Sequence, residues 1–304
     1  MPVLYKERNL RTGRSESAGR WLLLPLLGIM STGLAMTASA QLLETAGRQG
    51  KIKGTGAVSS ISGASGGGLT PWATLGTYAS DGQQGVNIFQ SQASVDDYSL
   101  DVVGGAFNYD DRVEIAYAKH DFEIEAAGLH IRQDKISARY KLHGDIIYGN
   151  APQITIGVEH GRLRDKAVAR AVGAEHTAGT DFIISAGKVW LDGIANRSTL
   201  LNVNVRYGES NQFGILGYGG DVSGNKFTTE VAAAMFLTRS IAIGGEFRQK
   251  GDYLSALNED HARDLFIAWF PNKHLSVTGA WIDLGDIAGA TDQRGYYISL
   301  QATL

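Results

Sequence analysis

The C-terminal stretch 295–304 constrains this chain more than any other. Its residues Tyr296, Ile298, Leu300, Ala302 and Leu304 are apolar, and they alternate with Tyr297, Ser299, Gln301 and Thr303. A period of two puts the two sets on opposite faces of a β-strand. A strand of about ten residues is long enough to cross a bilayer at a tilt. The same alternation recurs upstream. At 135–143, Ile136, Ala138, Tyr140 and Leu142 oppose Ser137, Arg139, Lys141 and His143. At 200–207, Leu201, Val203, Val205 and Tyr207 oppose Asn202, Asn204 and Arg206.

Further strands are expected at 86–93, 100–107, 112–120, 153–160, 182–191, 227–237, 241–248, 264–270 and 275–284, with earlier ones at 51–61 and 72–79. The segment 182–191 is apolar on both faces, which leaves its orientation open. Glycines and serines at 62–68 read as a flexible turn; no lysine follows in the position a phosphate-binding loop requires. The sequence therefore predicts an all-β protein, a transmembrane antiparallel up-and-down β-barrel of about 12–14 strands.

The connections carry an independent argument. Back from the C-terminus, 285–294 is long, 271–274 short, 249–263 long, 238–240 short and 208–226 long. Outer-membrane barrels alternate in this way because periplasmic turns are tight and outer loops are free to grow. The longest gap on this reading is 161–181. It holds Arg162, Arg164, Lys166 and Arg170, with helical character at 167–172, and it is expected either to stay in solvent or to fold inward and constrict a pore. Trp72, Phe107, Tyr109, Tyr117, Tyr207, Trp269, Phe270, Trp281 and Tyr296 fall near strand ends. Rings with a polar edge favour the headgroup boundary.

Lys6, Arg8, Arg11, Arg14 and Arg20 precede an apolar run at 21–36, and Ala38-Ser39-Ala40 then forms a small-x-small cleavage pattern. Residues 1–40 are read as a signal peptide and 41–304 as the barrel domain. Removing 1–40 takes away five basic and two acidic residues, so the formal charge of -3 becomes about -6. That balance gives no reason to expect nucleic acid as a partner. The chain has no cysteine, which excludes a disulfide framework, a thiolate metal site and a cysteine nucleophile.

Several motifs are carried together: Gly67-Gly68-Leu69-Thr70-Pro71-Trp72-Ala73, Asp111-Arg112-Val113-Glu114, Ile131-Arg132-Gln133-Asp134, Gly179-Thr180-Asp181-Phe182, Asn211-Gln212-Phe213-Gly214 with Gly219-Gly220-Asp221, and Gln293-Arg294-Gly295-Tyr296-Tyr297. In these the chain resembles a proteobacterial family of uncharacterised outer-membrane proteins, the domain-of-unknown-function family 3034. The resemblance implies a barrel in the outer membrane of a Gram-negative-type cell. It implies no activity and no catalytic residues. Leu304 stands where many outer-membrane barrels end in Phe, which bears on recognition by the barrel-assembly machinery.

No catalytic, cofactor or metal residues are assigned, and no enzymatic activity is expected. The histidines are scattered, and no serine lies in G-x-S-x-G. The informative polar residues are the charges on the wet faces of separate strands: Glu114, Arg139, Lys141, Glu159, Arg206, Glu230, Glu246 and Arg248. A basic group at the lipid midplane would cost ~2–4 kcal/mol, so these are the candidates to line the lumen. About 12–14 strands lie between barrels that fill with side chains and barrels that leave a channel, so a narrow or partly plugged lumen is expected. Two readings follow. One is a narrow, weakly selective pore or transporter for small solutes. The other is a non-transporting envelope barrel with a structural, adhesion or assembly role. The expected partners are outer-membrane lipids, the barrel-assembly machinery during biogenesis and, for the first reading, a small solute.

Overall fold

The computed structural model describes residues 51–304 apart from Ser223 and Asn258, so the expectations for 1–40 lie outside the described residues. Alternating side chains produce long strands: β3 (Gln84–Val95), β4 (Tyr98–Tyr109), β5 (Val113–Ile124), β6 (Leu129–His143), β7 (Gln153–Leu163) and β8 (Ala178–Trp190). They continue as β9 (Thr199–Gly208), β10 (Lys226–Phe236), β11 (Ile241–Arg248), β12 (Ala262–Trp269), β13 (Leu275–Asp283) and β14 (Arg294–Thr303). Each strand pairs antiparallel with its sequence neighbours, and β14 pairs with β3 from Gly295↔Val95 to Thr303↔Asn87. The C-terminal strand thus closes a barrel of 12 strands, and closure removes every free sheet edge.

The period of two is plain in the wall. Along β12, inward residues are buried and outward residues exposed in strict alternation. The outward face carries Ile115, Ile136, Val205, Ile243, Leu265 and Ile267, all exposed apolar side chains. In water such a surface would be unstable; in a bilayer it is the contact face. In β8 Asp181, Ile183 and Ser185 point inward while Phe182 and Ile184 point outward, which settles the orientation of 182–191. The connections 110–112, 144–152, 191–198, 237–240 and 270–274 share one end of the barrel with the start of β3 and the end of β14. At the other end 96–97 and 125–128 are tight, while 164–177, 209–225, 249–261 and 284–293 are long.

Four sequence expectations are corrected. The segments 51–61 and 72–79 are not wall strands. They belong to an N-terminal segment that is buried throughout 56–77 and contains the small ladder of β1 (Val58–Ser59) with β2 (Ser65–Gly66) and a single bridge between Gly66 and Pro71. This segment bonds to strands on opposite sides of the ring, so it crosses the lumen. The physical reason for the misreading is that a buried segment and a half-lipid-facing strand both need apolar residues between turns, and short stretches do not separate the two.

The glycine run 62–68 is not a flexible turn. A Cβ on Gly67 would lie 2.5 Å from the Trp72 ring and 2.6 Å from the Glu246 carboxyl carbon, so glycine is required by close approach. Trp72 and Phe270 are buried rather than at the lipid boundary. The loop expected at 161–181 shortens to 164–177, because β7 and β8 extend into it, and 209–225 is the longest connection. Within 164–177 a short helix, α1 (Ala167–Ala171), buries Ala169.

Candidate functional site: the occupied lumen

The inward positions of the wall are polar, and backbone of the N-terminal segment lies against them. Glu114 on β5 accepts from the Ser65 amide (3.3 Å) and the Gly76 amide (2.5 Å). Arg139, its partner across the β5–β6 ladder, is 3.1 Å from the same carboxylate and donates to the carbonyls of Ser65 and Trp72. Asn202 and Asn204 on β9 hold the Ala73 amide (2.7 Å) and the Pro71 carbonyl (2.6 Å). Gln153 and Thr155 on β7 both donate to the Ala73 carbonyl at 2.6 Å. His120 bonds the Ile61 carbonyl at 2.6 Å, and Ser59 donates to Gln301 on β14 at 2.8 Å.

Glu246 makes the densest attachment. Its carboxylate accepts from the Leu69 amide (2.7 Å), the Thr70 amide (3.3 Å), the Thr70 hydroxyl and the Trp72 indole nitrogen (2.8 Å). Directly across the β11–β12 ladder stands Asp264, which is also buried. Among the described residues neither carboxylate lies within salt-bridge distance of a basic group. The plug's amide and hydroxyl donors therefore supply the polar contacts that a buried charge needs.

Closer to the long-loop end a charge network spans six strands, β6 to β11. Lys135 reaches Glu159 at 2.6 Å. Arg206 lies 2.7 Å from Glu230, 3.1 Å from Asp181 and 3.6 Å from Glu159, and Arg248 lies 3.3 Å from Glu230. All six of these groups are buried. Above them the connection 209–225 folds inward. Phe213 sits under the Arg248 guanidinium, 4.4 Å from ring centre to carbon, and packs with Ile61 and Leu69 of the N-terminal segment. Tyr218 accepts from Gln133 at 3.1 Å. Its hydroxyl lies 1.9 Å from where a Cβ of Gly161 would be, so only glycine fits there.

Of the eight residues singled out in the sequence, Glu114, Arg139, Glu159, Arg206, Glu230, Glu246 and Arg248 are buried on the inward face. Lys141 stands apart, near the short-turn end, where it pairs with Asp111. Asp111 also lies 2.5 Å from Lys51. The structure adds Lys135, Asp181 and Asp264 to the set. Lys135 follows from carrying the same parity along its strand, two residues before Ser137, whereas Asp181 adjoins a segment whose orientation the sequence leaves open, and burial alone places it inward. The occupied lumen also explains why the charges are not exposed to a channel. They bond backbone and one another.

The family model for proteins of unknown function DUF3034 matches residues 55–301. No curated protein matches the sequence. Among solved structures the chain is similar to the KdgM porin (9% identity, TM-score 0.48, covering 71% of this chain and 98% of that one). It is also similar to the NanC porin (8%, 0.45, 72% and 98%) and to the outer membrane protein Omp33 of Acinetobacter baumannii (9%, 0.43, 72% and 96%). At these identities and TM-scores none of them bears on what this chain carries. With the motif residues from Gly67 to Tyr297 inside the matched span, and an outer-membrane-type barrel built from them, the chain belongs to the DUF3034 family.

Proposed function

We propose that this protein is an outer-membrane transporter for small solutes whose lumen is closed at rest by its own N-terminal segment. The observation that carries the reading is how 56–79 is held. The wall grips its backbone through hydrogen bonds, accepted by Glu114, Asn202 and Glu246 and donated by Arg139 and Asn204. Such bonds exchange readily with water, each contributing only about 0.5–1.5 kcal/mol net, or ~1.5–3 where one partner is charged. A segment held in this way can be displaced without dismantling the wall, whose own ladders close the ring independently. Orienting the barrel by its short turns puts the start of the segment on the periplasmic side. Outer-membrane placement, with lipid on the exposed apolar face, belongs to the same reading, as does export through cleavage after residue 40.

The filled, charge-paired lumen favours a second reading, a barrel with a structural role and no transport. Planar-bilayer recording with liposome swelling separates the two. A transporter should show rare, small openings in the full-length mature chain, and solute entry into liposomes. Removal of 56–79 should give large, long-lived openings. If the intact chain is silent in both assays while the shortened one conducts, the hole is an artefact of deletion and the structural reading stands.

A further inference from the structure

Polarity inside the barrel is not uniform. Along β9 the inward residues run Arg206, Asn204, Asn202, Leu200 towards the short-turn end, and along β10 they run Glu230, Ala232, Ala234, Phe236. On β11 the order is Arg248, Glu246, Gly244, Ala242, and on β12 it is Asp264, Phe266, Ala268, ending at Phe270. Four neighbouring strands thus change from charged to apolar within the lumen, where transmembrane barrels ordinarily keep a polar face. The apolar third is not packed solid. It encloses a cavity of about 680 Å³, open towards the short-turn end, between these strands and the plug residues Ala57, Val58 and Trp72. That volume lies within the ~300–1,000 Å³ range of small-molecule sites.

The mouth of the cavity has one sign of charge. Lys53, Arg197 and Arg239 line it, with no acidic residue beside them. Lys53 donates to the Ser240 hydroxyl at 2.5 Å and Arg197 to the Leu237 carbonyl, and Arg239 is exposed. Among the described residues no carboxylate pairs with any of the three.

We propose that this chamber binds a single-chain anionic amphiphile, a long-chain carboxylate, with its apolar chain among Leu200, Phe236, Phe266 and Phe270 and its head group at Lys53, Arg197 and Arg239. An apolar chamber alone would accept any hydrocarbon. The unpaired cations at its rim select one that ends in a negative charge, because a carboxylate there gains charge-assisted hydrogen bonds that a neutral head cannot make. Trp72 forms part of the wall and is bonded to Glu246, so a chain lodged in the chamber presses on the segment that closes the lumen. The inference rests on the transport reading only in naming the cargo; the site itself stands on its geometry.

The test uses the full-length protein in lipid nanodiscs and a diazirine-bearing palmitate, with the cross-linked residues mapped by mass spectrometry. Label is expected on inward Phe236 and Phe270, suppressed by unlabelled palmitate, as well as on outward Ile243, Ile267 and Trp269, which face bulk lipid and are not suppressed. The diazirine analogue of hexadecanol should label the inward positions about tenfold less, the loss expected when charge-assisted bonds are removed. The K53Q/R197Q/R239Q variant should reduce palmitate labelling to the alcohol's level, and K53R/R197K/R239K should restore it. Ala234→Trp, which fills the chamber, should abolish it. Heat-modified gel migration confirms that each variant is folded.

Label confined to outward residues would mean that the chamber holds solvent or chain rather than an amphiphile, and would overturn the proposal. Equal inward labelling by acid and alcohol would overturn the anionic head group. Saturable inward labelling in a protein that carries no flux would sink the transport reading and leave this site standing, whereas flux without inward labelling would do the reverse.

Discussion

Arg206 shows how much one residue carries in this interior. It approaches three buried carboxylates, those of Glu159, Asp181 and Glu230, so Arg206→Met leaves three acids in a low-dielectric space with less compensation. Breaking a buried pair in this way costs about 3–5 kcal/mol. Arg132, by contrast, pairs with Asp165 at 2.8 Å on an exposed part of the barrel. Arg132→Gln should leave stability nearly unchanged, because solvent screens an exposed ion pair. Urea unfolding in detergent micelles compares the two, and equal losses would show that the interior is wetter than its burial implies. A second contrast concerns glycine. Gly67→Ala drives a methyl group into Trp72 and Glu246 and should loosen the plug, giving more frequent openings in planar bilayers. Gly279→Ala on β13 meets nothing within 4 Å and should leave openings unchanged. The inward parity of Arg206 and Glu246 was legible in the sequence. That Glu246 would be met by the backbone amides of Leu69 and Thr70 was not, because a hydrogen bond between residues more than a hundred positions apart leaves no local pattern.

Among the elements, the strands were legible and the connections only in part. Period-two alternation marks the wall strands from β3 to β14 to within a few residues, except that β6 begins six residues before its expected start and β8 was placed by its apolar run rather than by alternation. The connection 209–225 read as an outer loop, yet its Phe213, Ile215, Leu216 and Tyr218 are buried. It is held from 249–261 by Glu259, which accepts twice from the Gln212 amide at 2.8 and 3.0 Å. Burial pushes the Glu259 carboxyl up to about 7, against the pull of nearby Lys250. Its ordinary value is 4.5, so the folded-state pKa is raised and the packed connection binds the proton more tightly than the open one. The stabilisation is therefore fully present below that ordinary value and is lost as pH rises through about 7. Hydrogen exchange in 209–222, corrected for intrinsic rates, should show easier opening at pH about 8 than at about 5. Glu259→Gln should flatten the difference. A protection that instead grows with pH would refute this sign.

For the whole molecule, the occupied lumen changes what accessibility can report. The chain has no cysteine, so single cysteines are clean probes. Ile136 and Val205 face lipid, whereas Asn202 and Asn204 are sealed beneath the N-terminal segment. A water-soluble thiol reagent should therefore label cysteine at none of the four in the intact protein. With 56–79 removed it should label positions 202 and 204 and still spare 136 and 205. Fast labelling of 202 in the intact chain would mean that the segment does not rest in the lumen. A one-residue error in register would invert the pattern, since a slip of one exchanges the two faces.

The sequence by itself determined the barrel and its inside and outside. Lipid contact and interior contact impose opposite chemistry on successive residues, and that requirement is written locally in every wall strand. Only the tertiary structure decided what fills the interior. The ring fixes a volume that no single strand encodes, and 56–79 enters it because its amides and carbonyls meet Glu114, Arg139, Asn202, Asn204 and Glu246 from strands far apart in the chain. The apolar chamber arises in the same way. Leu200, Phe236, Ala242 and Phe270 are unremarkable in their own strands, and they become one surface only when four strand ends are brought side by side.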